Sequence, residues 1–266
     1  MPFQQLGLAE PIQHAVRDAG YTEPTPIQTA AIPVILQRND LMGIAQTGTG
    51  KTAAFVLPLL SLMATNPLQH RGIRGLIMVP TRELVVQVEE NILTYARHLQ
   101  LRIATIFGGV SERPQIRALQ QGADIIVATP GRLLDLIRGR EPSLRNLEFL
   151  VLDEADRMLD MGFVPAIRQI VRLLPRQRQT LLFSATLSRE IERLTREFMH
   201  NPKLIEIGRR SNPAETVTQY LYEVSHHAKS SLLTHLLKQE ALKTVLVFSR
   251  TKHLSLIHIS EPTRPY

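Results

Sequence analysis

Residues 45–52 read Ala-Gln-Thr-Gly-Thr-Gly-Lys-Thr, and they join an apolar run at residues 41–44 to a helix start at Ala53. A short run that is apolar throughout predicts a strand buried on both faces of a sheet. Glycines in the loop let the backbone turn sharply and approach a ligand. The stretch therefore predicts a phosphate-binding loop, in which backbone N–H groups and the following helix N-terminus hold the phosphates. Its residues are Gln46, Thr47, Gly48, Thr49, Gly50, Lys51 and Thr52.

Two side chains of this loop have predicted roles of their own. Lys51 would reach the β- and γ-phosphates of a nucleoside triphosphate, and the Thr52 hydroxyl would bind Mg²⁺. The loop departs from the strict pattern, because Ala45 stands where a glycine is expected. A dinucleotide fingerprint also fits loosely, but it needs an acidic residue about 20 positions further on. No Asp or Glu occurs between Asp40 and Glu83, which excludes that fingerprint. The loop alone leaves open a glycine-rich turn without a ligand.

A second motif consists of two carboxylates that follow another apolar run. Residues 149–152 read Phe-Leu-Val-Leu, and Asp153-Glu154 comes directly after them. In open α/β sheets, ligands bind at the carboxyl ends of the strands. Asp153 would hold Mg²⁺ there, and Glu154 would orient and deprotonate an attacking water. A solvated acidic turn is the alternative, which the strand and the phosphate loop in the same chain disfavour.

With both motifs in place, the chain resembles the DEAD-box RNA helicases, a branch of superfamily 2. The motif that names this family is Asp153-Glu154-Ala155-Asp156, and further family motifs occur in family order. The resemblance covers residues 1 to about 253, and the sequences of its motifs are most similar to those of bacterial RhlE-type members. The other motifs are the Q motif at 20–28 with Phe3 as its upstream aromatic residue, motif Ia at 80–84, Gly108-Gly109, Thr129-Pro130-Gly131-Arg132, motif III at 184–186 and motif IV at 247–250.

The Q motif implies that the nucleotide is ATP. Gln28 carries both an amide donor and an acceptor, which suits two edge atoms of adenine. The aromatic ring of Phe3 or of Tyr21 would stack on the base. The resemblance therefore predicts ATP and Mg²⁺ as the bound cofactors.

The resemblance implies RNA as the partner. Helix N-termini and glycine-rich turns suit phosphates of an RNA backbone, and two arginines add positive charge. Asp156 would accept hydrogen bonds from the hydroxyls of Ser184 and Thr186, which would link the metal site to a domain interface. The predicted RNA-binding residues are Pro80, Thr81, Arg82, Gly108, Gly109, Thr129, Pro130, Gly131 and Arg132.

Strand-like runs alternate with amphipathic helical stretches, which predicts an α/β fold with a mostly parallel sheet covered by helices on both faces. The resemblance implies that residues 1–207 form a RecA-like P-loop domain. We interpret 208–215 as a linker and 216–253 as the start of a second RecA-like domain, with strands at 217–224 and 244–248 and a helix at about 228–239. Residues 254–266 resemble the translation of a sequencing adapter, and we expect them to be a non-native tail.

The composition of the chain indicates which class of molecule it binds. The formal net charge is +7 and the sequence pI is about 10.0, which favours a polyanion. Tryptophan is absent and aromatic residues make up 5%, so backbone contacts with low sequence specificity are expected. The absence of cysteine fits a reducing compartment, and we find no secretory signal or membrane-spanning stretch. The sequence therefore predicts a cytoplasmic protein without a membrane partner, and it names no protein partner.

These motifs favour an enzyme that couples ATP binding and hydrolysis to RNA clamping and local duplex unwinding. The chain lacks the arginine motifs of a complete second domain, so we expect no unwinding by these residues alone. An ATP-gated RNA clamp, in which hydrolysis only resets the clamp, shares the same motifs. A superfamily 2 motor that acts on DNA is disfavoured by the Q motif and the Asp-Glu-Ala-Asp wording.

Overall fold

The structure is a computed structural model that describes residues 2–66, 72–139, 142–208, 218, 220–238 and 244–248. The chain forms two compact units, Met1–Arg210 and Ser211–Tyr266. The first unit contains the two motifs with which the sequence analysis began.

A seven-stranded sheet, with strands in the order β3-β4-β2-β5-β6-β1-β7, runs through the first unit. Each ladder between neighbouring strands is parallel, which confirms the predicted α/β class. The apolar runs 41–44 and 149–152 are fully buried strands, as predicted. The strands are β1 (Leu41–Ile44), β2 (Gly75–Met78), β3 (Ile103–Ile106), β4 (Ile125–Ala128), β5 (Phe149–Leu152), β6 (Gln179–Ser184) and β7 (Lys203–Glu206).

Helices cover both faces of the sheet. Successive side chains of a strand point to opposite faces; in β5, Phe149 and Val151 join one apolar cluster, whereas Leu150 and Leu152 join the other. The first cluster packs against α1 (Glu10–Asp18), α2 (Pro26–Leu36), α3 (Lys51–Thr65) and α4 (Arg82–Tyr95). The second packs against α5 (Arg113–Gln120), α6 (Pro130–Arg138), α7 (Ala155–Asp160), α8 (Val164–Arg172) and α9 (Arg189–Phe198).

Helix α3, which starts at the phosphate loop, is buried along nearly its whole length. It packs against α1, α2 and α4 as well as the sheet, and this explains why it is apolar on all sides. None of the helices in the described ranges is long and apolar enough to cross a membrane.

Buried polar groups hold the amino ends of the strands together. The Arg74 guanidinium is 5% exposed; it donates to Glu148 through Nε and to the Met63 carbonyl through Nη1. At the next strands, Asp40 accepts from the backbone N–H of Thr180. Because a buried polar group without a partner is costly, these contacts stabilise the alignment of β1, β2, β5 and β6, and so the positions of the loops at their other ends.

The second unit differs from the sequence prediction in its strands. Its helix α10 (Lys229–Leu237) confirms the predicted helix. The predicted strands at 217–224 and 244–248 are wrong for the residues that can be checked, because 218, 220–225 and 244–248 have no strand assignment. A strand needs a neighbouring backbone to bond with, and the described part of this unit offers none. The predicted linker beyond Gly208, residues 249–250 of motif IV and the predicted tail lie outside the described residues.

A glycine in β1 gives a test of the sheet packing. A Cβ added at Gly43 would lie 2.6 Å from Cε1 of Phe183 on β6. We expect Gly43→Ala to lower the free energy of unfolding by about 1–3 kcal/mol, the cost of overpacking a core, measured by urea unfolding. Gly75→Ala on β2 is the matched control, because its Cβ would meet Ile125 at 3.4 Å. Equal stability changes in the two variants would contradict the packing described for β1 and β6.

Candidate active site

The order of the strands sorts the predicted site residues into two groups along one edge of the sheet. All strands are parallel, so their carboxyl ends lie at the same edge. The phosphate loop follows β1, the Asp-Glu-Ala-Asp motif follows β5 and motif III ends β6, and these three strands are neighbours. The predicted RNA-binding turns follow β2, β3 and β4, which are neighbours on the other side. The two groups meet between β2 and β5.

The phosphate loop takes its shape from two glycines and a buried lysine. Gly48 and Gly50 have φ of 84° and 88°, in the left-handed region that side chains disfavour. Gly50 is the N-cap of α3. Lys51 is 7% exposed, and its ammonium donates to the Ala45 carbonyl over 2.7 Å. Since an ammonium has three donors, this bond fixes Lys51 at the loop and leaves donors for phosphate oxygens.

Gln28 is bonded to the phosphate loop itself. Its Oε1 accepts from the Thr25 backbone N–H over 2.9 Å, as in half of a capping box, and its Nε2 donates to the Gly50 carbonyl over 3.1 Å. An amide has two donor hydrogens and two acceptor lone pairs, so each end of Gln28 retains one for a ligand. The sequence analysis predicted a contact with the base but not this contact with the loop.

The two predicted stacking aromatics lie together. The ring centroids of Phe3 and Tyr21 are 6.5 Å apart, and the Tyr21 hydroxyl lies 3.2 Å from that of Tyr95 on α4. Phe3 is 6% exposed whereas Tyr21 is 45% exposed. Tyr21 therefore presents the larger ring surface to a base.

Asp153 is a buried carboxyl at the end of β5, 5% exposed. Its backbone N–H donates to the Met78 carbonyl of β2, and its Oδ1 accepts from the Glu154 N–H, each over 3.0 Å. Burial raises the pKa of Asp153 to about 6, although the charge of Lys51 acts to lower it. Because β1, β6 and β5 are neighbours, the phosphate loop and the acidic motif lie on the same part of the sheet edge, near enough for the charge of Lys51 to act on Asp153.

The donor set at this site suits Mg²⁺. Half-buried Thr52 in the first turn of α3 supplies a hydroxyl and Asp153 a carboxylate, the hard oxygen ligands that this ion prefers. Within the described ranges, no group of three or more His, Cys, Asp or Glu side chains could hold a metal ion. A set with few protein ligands fits an ion that takes its other ligands from substrate phosphates and water.

Glu154 has an unusual backbone. Its φ of 51° and ψ of 50° are left-handed, and it forms the N-cap of α7. Such a conformation costs on the order of 1–3 kcal/mol outside glycine and is concentrated at functional sites. Its side chain is 16% exposed, and Oε2 accepts from Nη1 of Arg157 over 3.2 Å. Arg157 was not singled out by the sequence analysis, although it directly follows the acidic motif.

Asp156 joins α7 to the loop after β6. Its Oδ2 accepts from the backbone N–H groups of Ala185 and Thr186 over 3.1 and 3.0 Å, and from the Thr186 hydroxyl over 3.1 Å. The prediction that Ser184 also donates to Asp156 is wrong. Ser184 is fully buried, and its hydroxyl donates to the Thr186 carbonyl over 2.8 Å. Ser184 therefore shapes the turn that presents Thr186.

The turn after β2 and the glycine turn after β3 lie against each other. Pro80 and Thr81 follow β2, and Thr81 caps α4 by accepting from the Leu84 N–H over 3.4 Å. The Arg82 guanidinium lies 5.0 Å from the ring centroid of Phe107, a cation–π distance. Phe107 precedes Gly108-Gly109, so Arg82 is held beside that turn.

The glycine turn also contacts the start of α6. Arg132 donates to the Val110 carbonyl over 3.0 Å, and Thr129, the N-cap of α6, donates its N–H to the Ile106 carbonyl over 2.8 Å. Added Cβ atoms at Gly108 and Gly109 would meet nothing within 4 Å, so this turn is open. Gly131 and the buried Pro130 complete the first turn of the helix. The structure thus brings all the predicted RNA-binding turns together, through Phe107 and Val110, which the sequence analysis had missed.

The comparison with known families agrees with this geometry. A family model described as DEAD/DEAH box helicase matches residues 25–194, from the Q motif into α9. The chain belongs to this family. The matching family model and the observed fold confirm the family and the fold class that the motifs predicted. The roles of the individual residues and the RhlE-type resemblance stay predictions.

Relatives of known name support the assignment. A DEAD-box ATP-dependent RNA helicase CshA from Streptococcus pneumoniae serotype 4 is 42% identical over 252 residues, which are 95% of this chain and 48% of that protein. An ATP-dependent RNA helicase CshA from Limosilactobacillus reuteri is 40% identical over 252 residues, 95% of this chain and 50% of that protein. The chain thus spans about half the length of these curated relatives.

A solved structure is similar as well. The crystal structure of a DEAD box protein from the hyperthermophile Methanococcus jannaschii matches with a TM-score of 0.74 and 38% sequence identity. The match covers 90% of this chain and 64% of that chain. At this identity the likeness extends beyond the fold to the family.

The raised pKa of Asp153 leads to a prediction about stability. The pKa is 3.8 in the unfolded chain and about 6 in the folded protein, so the folded protein binds the proton more tightly. The free energy of unfolding should therefore fall as pH rises from about 4 to about 6. Asp153→Asn has no carboxyl to titrate, so its free energy of unfolding should not fall in this way. The free energy of unfolding of Asp153→Asn minus that of the unsubstituted chain should therefore increase, as pH rises from about 4 to about 6, by on the order of 2–3 kcal/mol.

Urea unfolding at pH 4.5 and pH 7.5 measures this difference. Asp135→Asn, which changes an exposed carboxyl on α6, is the control and should show little change between the two pH values. A stability gain in Asp153→Asn that is the same at both pH values would mean that the Asp153 carboxyl is well solvated.

Proposed function

We propose that this chain is the ATP-binding domain of an RNA helicase that couples ATP binding and hydrolysis to RNA clamping and local duplex unwinding. The observation that carries the proposal is the shared edge of the sheet, where the Lys51–Asp153 site and the turns that hold Arg82 and Arg132 lie side by side. Relatives named ATP-dependent RNA helicase support it. Residues 1–207 would form this domain, 208–215 a linker and 216–253 the start of the second RecA-like domain.

The residues after β1 and β5 would bind and hydrolyse ATP. The Lys51 ammonium would donate to the β- and γ-phosphates, alongside the N–H groups of the loop. Thr52 and Asp153 would hold Mg²⁺, which when bound neutralises phosphate charge. Glu154 would accept a proton from the attacking water, and its sheltered position at the N-cap of α7 would keep that water ordered.

The turns after β2, β3 and β4 would bind RNA through its backbone. The N-termini of α4 and α6 provide partial positive charge and free N–H groups, to which Arg82 and Arg132 add full charges. Phosphate contacts carry no base information, so sequence specificity would be low. The net charge of +7 supports a polyanion as the partner.

Asp156 would connect the two activities. It accepts two hydrogen bonds from the backbone N–H groups of Ala185 and Thr186 and one from the Thr186 hydroxyl, so a shift of α7 would move the loop after β6. In a polypeptide with a complete second RecA-like domain, that domain would supply arginines to the γ-phosphate, which contribute about 10³–10⁵-fold in this type of site. The absence of cysteine supports a reducing, cytoplasmic location.

Glu154→Gln tests the proposed hydrolysis. The amide keeps the shape of the side chain but cannot take a proton from water, so we expect turnover to fall by about 10²-fold or more, while Mg²⁺–ATP still binds. The measurement is steady-state ATP hydrolysis with and without poly(U) RNA, in a polypeptide that continues this chain through a complete second helicase domain. Glu190→Gln on the exposed side of α9 should retain full activity. Turnover within a few-fold of normal in Glu154→Gln would refute the role of Glu154.

Gln28→Ala tests how the nucleotide is recognised. The substitution removes both the amide that would read adenine and the bond to the Gly50 carbonyl. We expect weaker ATP binding and less preference for ATP over GTP, by about 10-fold for one lost hydrogen bond of roughly 1.5 kcal/mol. Competition between the two nucleotides on the 266-residue chain measures it. In Gln28→Glu the acceptor for Thr25 remains, and only the donor is lost; an unchanged preference for ATP in both variants would place base recognition on Phe3 or Tyr21.

A further inference from the structure

Arg157 lies between two carboxylates that belong to different halves of the sheet edge. On one side, its Nη1 donates to Oε2 of Glu154 over 3.2 Å. On the other side, it lies close enough to Glu83, in the first turn of α4, for its charge to act on that carboxyl. The Arg157 side chain is 54% exposed, so it is free to change partner. Arg157 is thus bonded to the proposed general base and lies within electrostatic reach of the proposed RNA turn.

The backbone explains why these groups lie together. Glu83 and Thr81 follow β2, Glu154 and Arg157 follow β5, and the two strands are neighbours in the sheet. The pKa of Glu83 is lowered, first by its own backbone N–H and the Thr81 hydroxyl, and further by the charges of Arg82 and Arg157. The start of α7, which carries Arg157, and the N-terminus of α4, where an RNA phosphate would bind, therefore follow strands that are paired side by side.

We propose that Arg157 is a positioning residue that restrains the Glu154 carboxylate until an RNA phosphate at the N-terminus of α4 draws the guanidinium away. This inference rests on the function proposed above, and adds to it a route by which RNA controls hydrolysis. A carboxylate oxygen that accepts from a guanidinium has one lone pair fewer for the attacking water. An RNA backbone phosphodiester carries one negative charge, so its bond to a guanidinium is charge-assisted like that of the Glu154 carboxylate, and it can replace Glu154 as the acceptor.

The exposure of the Arg157–Glu154 ion pair sets how much its loss should change the rate of ATP hydrolysis. Exposed ion pairs are weak and screened, with free energies of roughly 0.2–1 kcal/mol. Losing the restraint should therefore increase RNA-independent hydrolysis by about 2- to 5-fold. The rate with saturating RNA should stay nearly the same, because the restraint is already released there. The ratio of the two rates, which measures stimulation by RNA, should fall by the same factor.

Arg157→Gln is the variant that tests this, in a polypeptide that continues the chain through a complete second helicase domain. ATP turnover is measured without RNA and with saturating poly(U), together with the ATP concentration for half-maximal rate and the melting temperature. We expect a higher rate without RNA, an unchanged ATP requirement and an unchanged melting temperature. Arg157→Lys keeps the positive charge and should restore most of the stimulation ratio. A purely structural role for Arg157 would change the melting temperature and would not raise any rate.

A matched control is Arg168→Gln, which removes an arginine that pairs with Glu197 between α8 and α9, over 3.0 Å and away from the site. It should leave both rates unchanged. Parallel losses of both rates in Arg157→Gln, or an unchanged stimulation ratio, would overturn the proposal.

Glu154→Gln separates this inference from the function on which it rests. If Glu154→Gln hydrolyses ATP normally, the proposed function itself fails. If Glu154→Gln is inactive and Arg157→Gln leaves the stimulation ratio unchanged, only the role of Arg157 is overturned.

Discussion

A buried ammonium beside a buried carboxyl is the interaction on which the other parts of the site depend. Burial of either charge alone would be costly, and the charge of Lys51 offsets part of that cost for Asp153. Lys51 starts the helix after β1 and Asp153 directly follows β5, with only β6 between these strands. The pair therefore requires β1, β6 and β5 to be neighbours with aligned carboxyl ends, and this arrangement also places motif III within reach of Asp156.

At the boundary between β2 and β5, the turns of the candidate ATP site meet the turns predicted to bind RNA. Every strand here has the same direction, so two chemically different groups of turns share one edge without a domain boundary between them. The bond from the Asp153 N–H to the Met78 carbonyl joins the groups through the backbone, and Arg157 joins them through charge. Contact between the halves is thus built into the β2–β5 ladder.

Much of this could be predicted from the sequence, because strands buried on both faces are apolar throughout and stand out beside polar turns. The phosphate loop and the acidic motif could be placed at strand ends for the same reason. The order of the strands could not be predicted, and it decides which turns meet. The bond of Gln28 to Gly50 escaped prediction because it joins α2 to the loop after β1, and their contact depends on tertiary packing. The bond of Arg157 to Glu154 is different, because its i,i+3 spacing is a local signal that the sequence analysis missed. The predicted bond from Ser184 to Asp156 was wrong because Ser184 is completely buried and its hydroxyl donates to the local backbone. The strands predicted in the second unit were wrong because a strand-like composition does not supply a pairing partner.

The left-handed backbone of Glu154 has a consequence for how this domain changes under selection. Glycine adopts that conformation at no steric cost, but it has no carboxylate. Selection for thermal robustness alone would therefore favour sequences that lose the acidic side chain, and the most stable variants would lack the proposed general base. Laboratory libraries screened only for soluble expression should accumulate such variants at this position, so a stability screen of this domain needs a simultaneous screen for turnover.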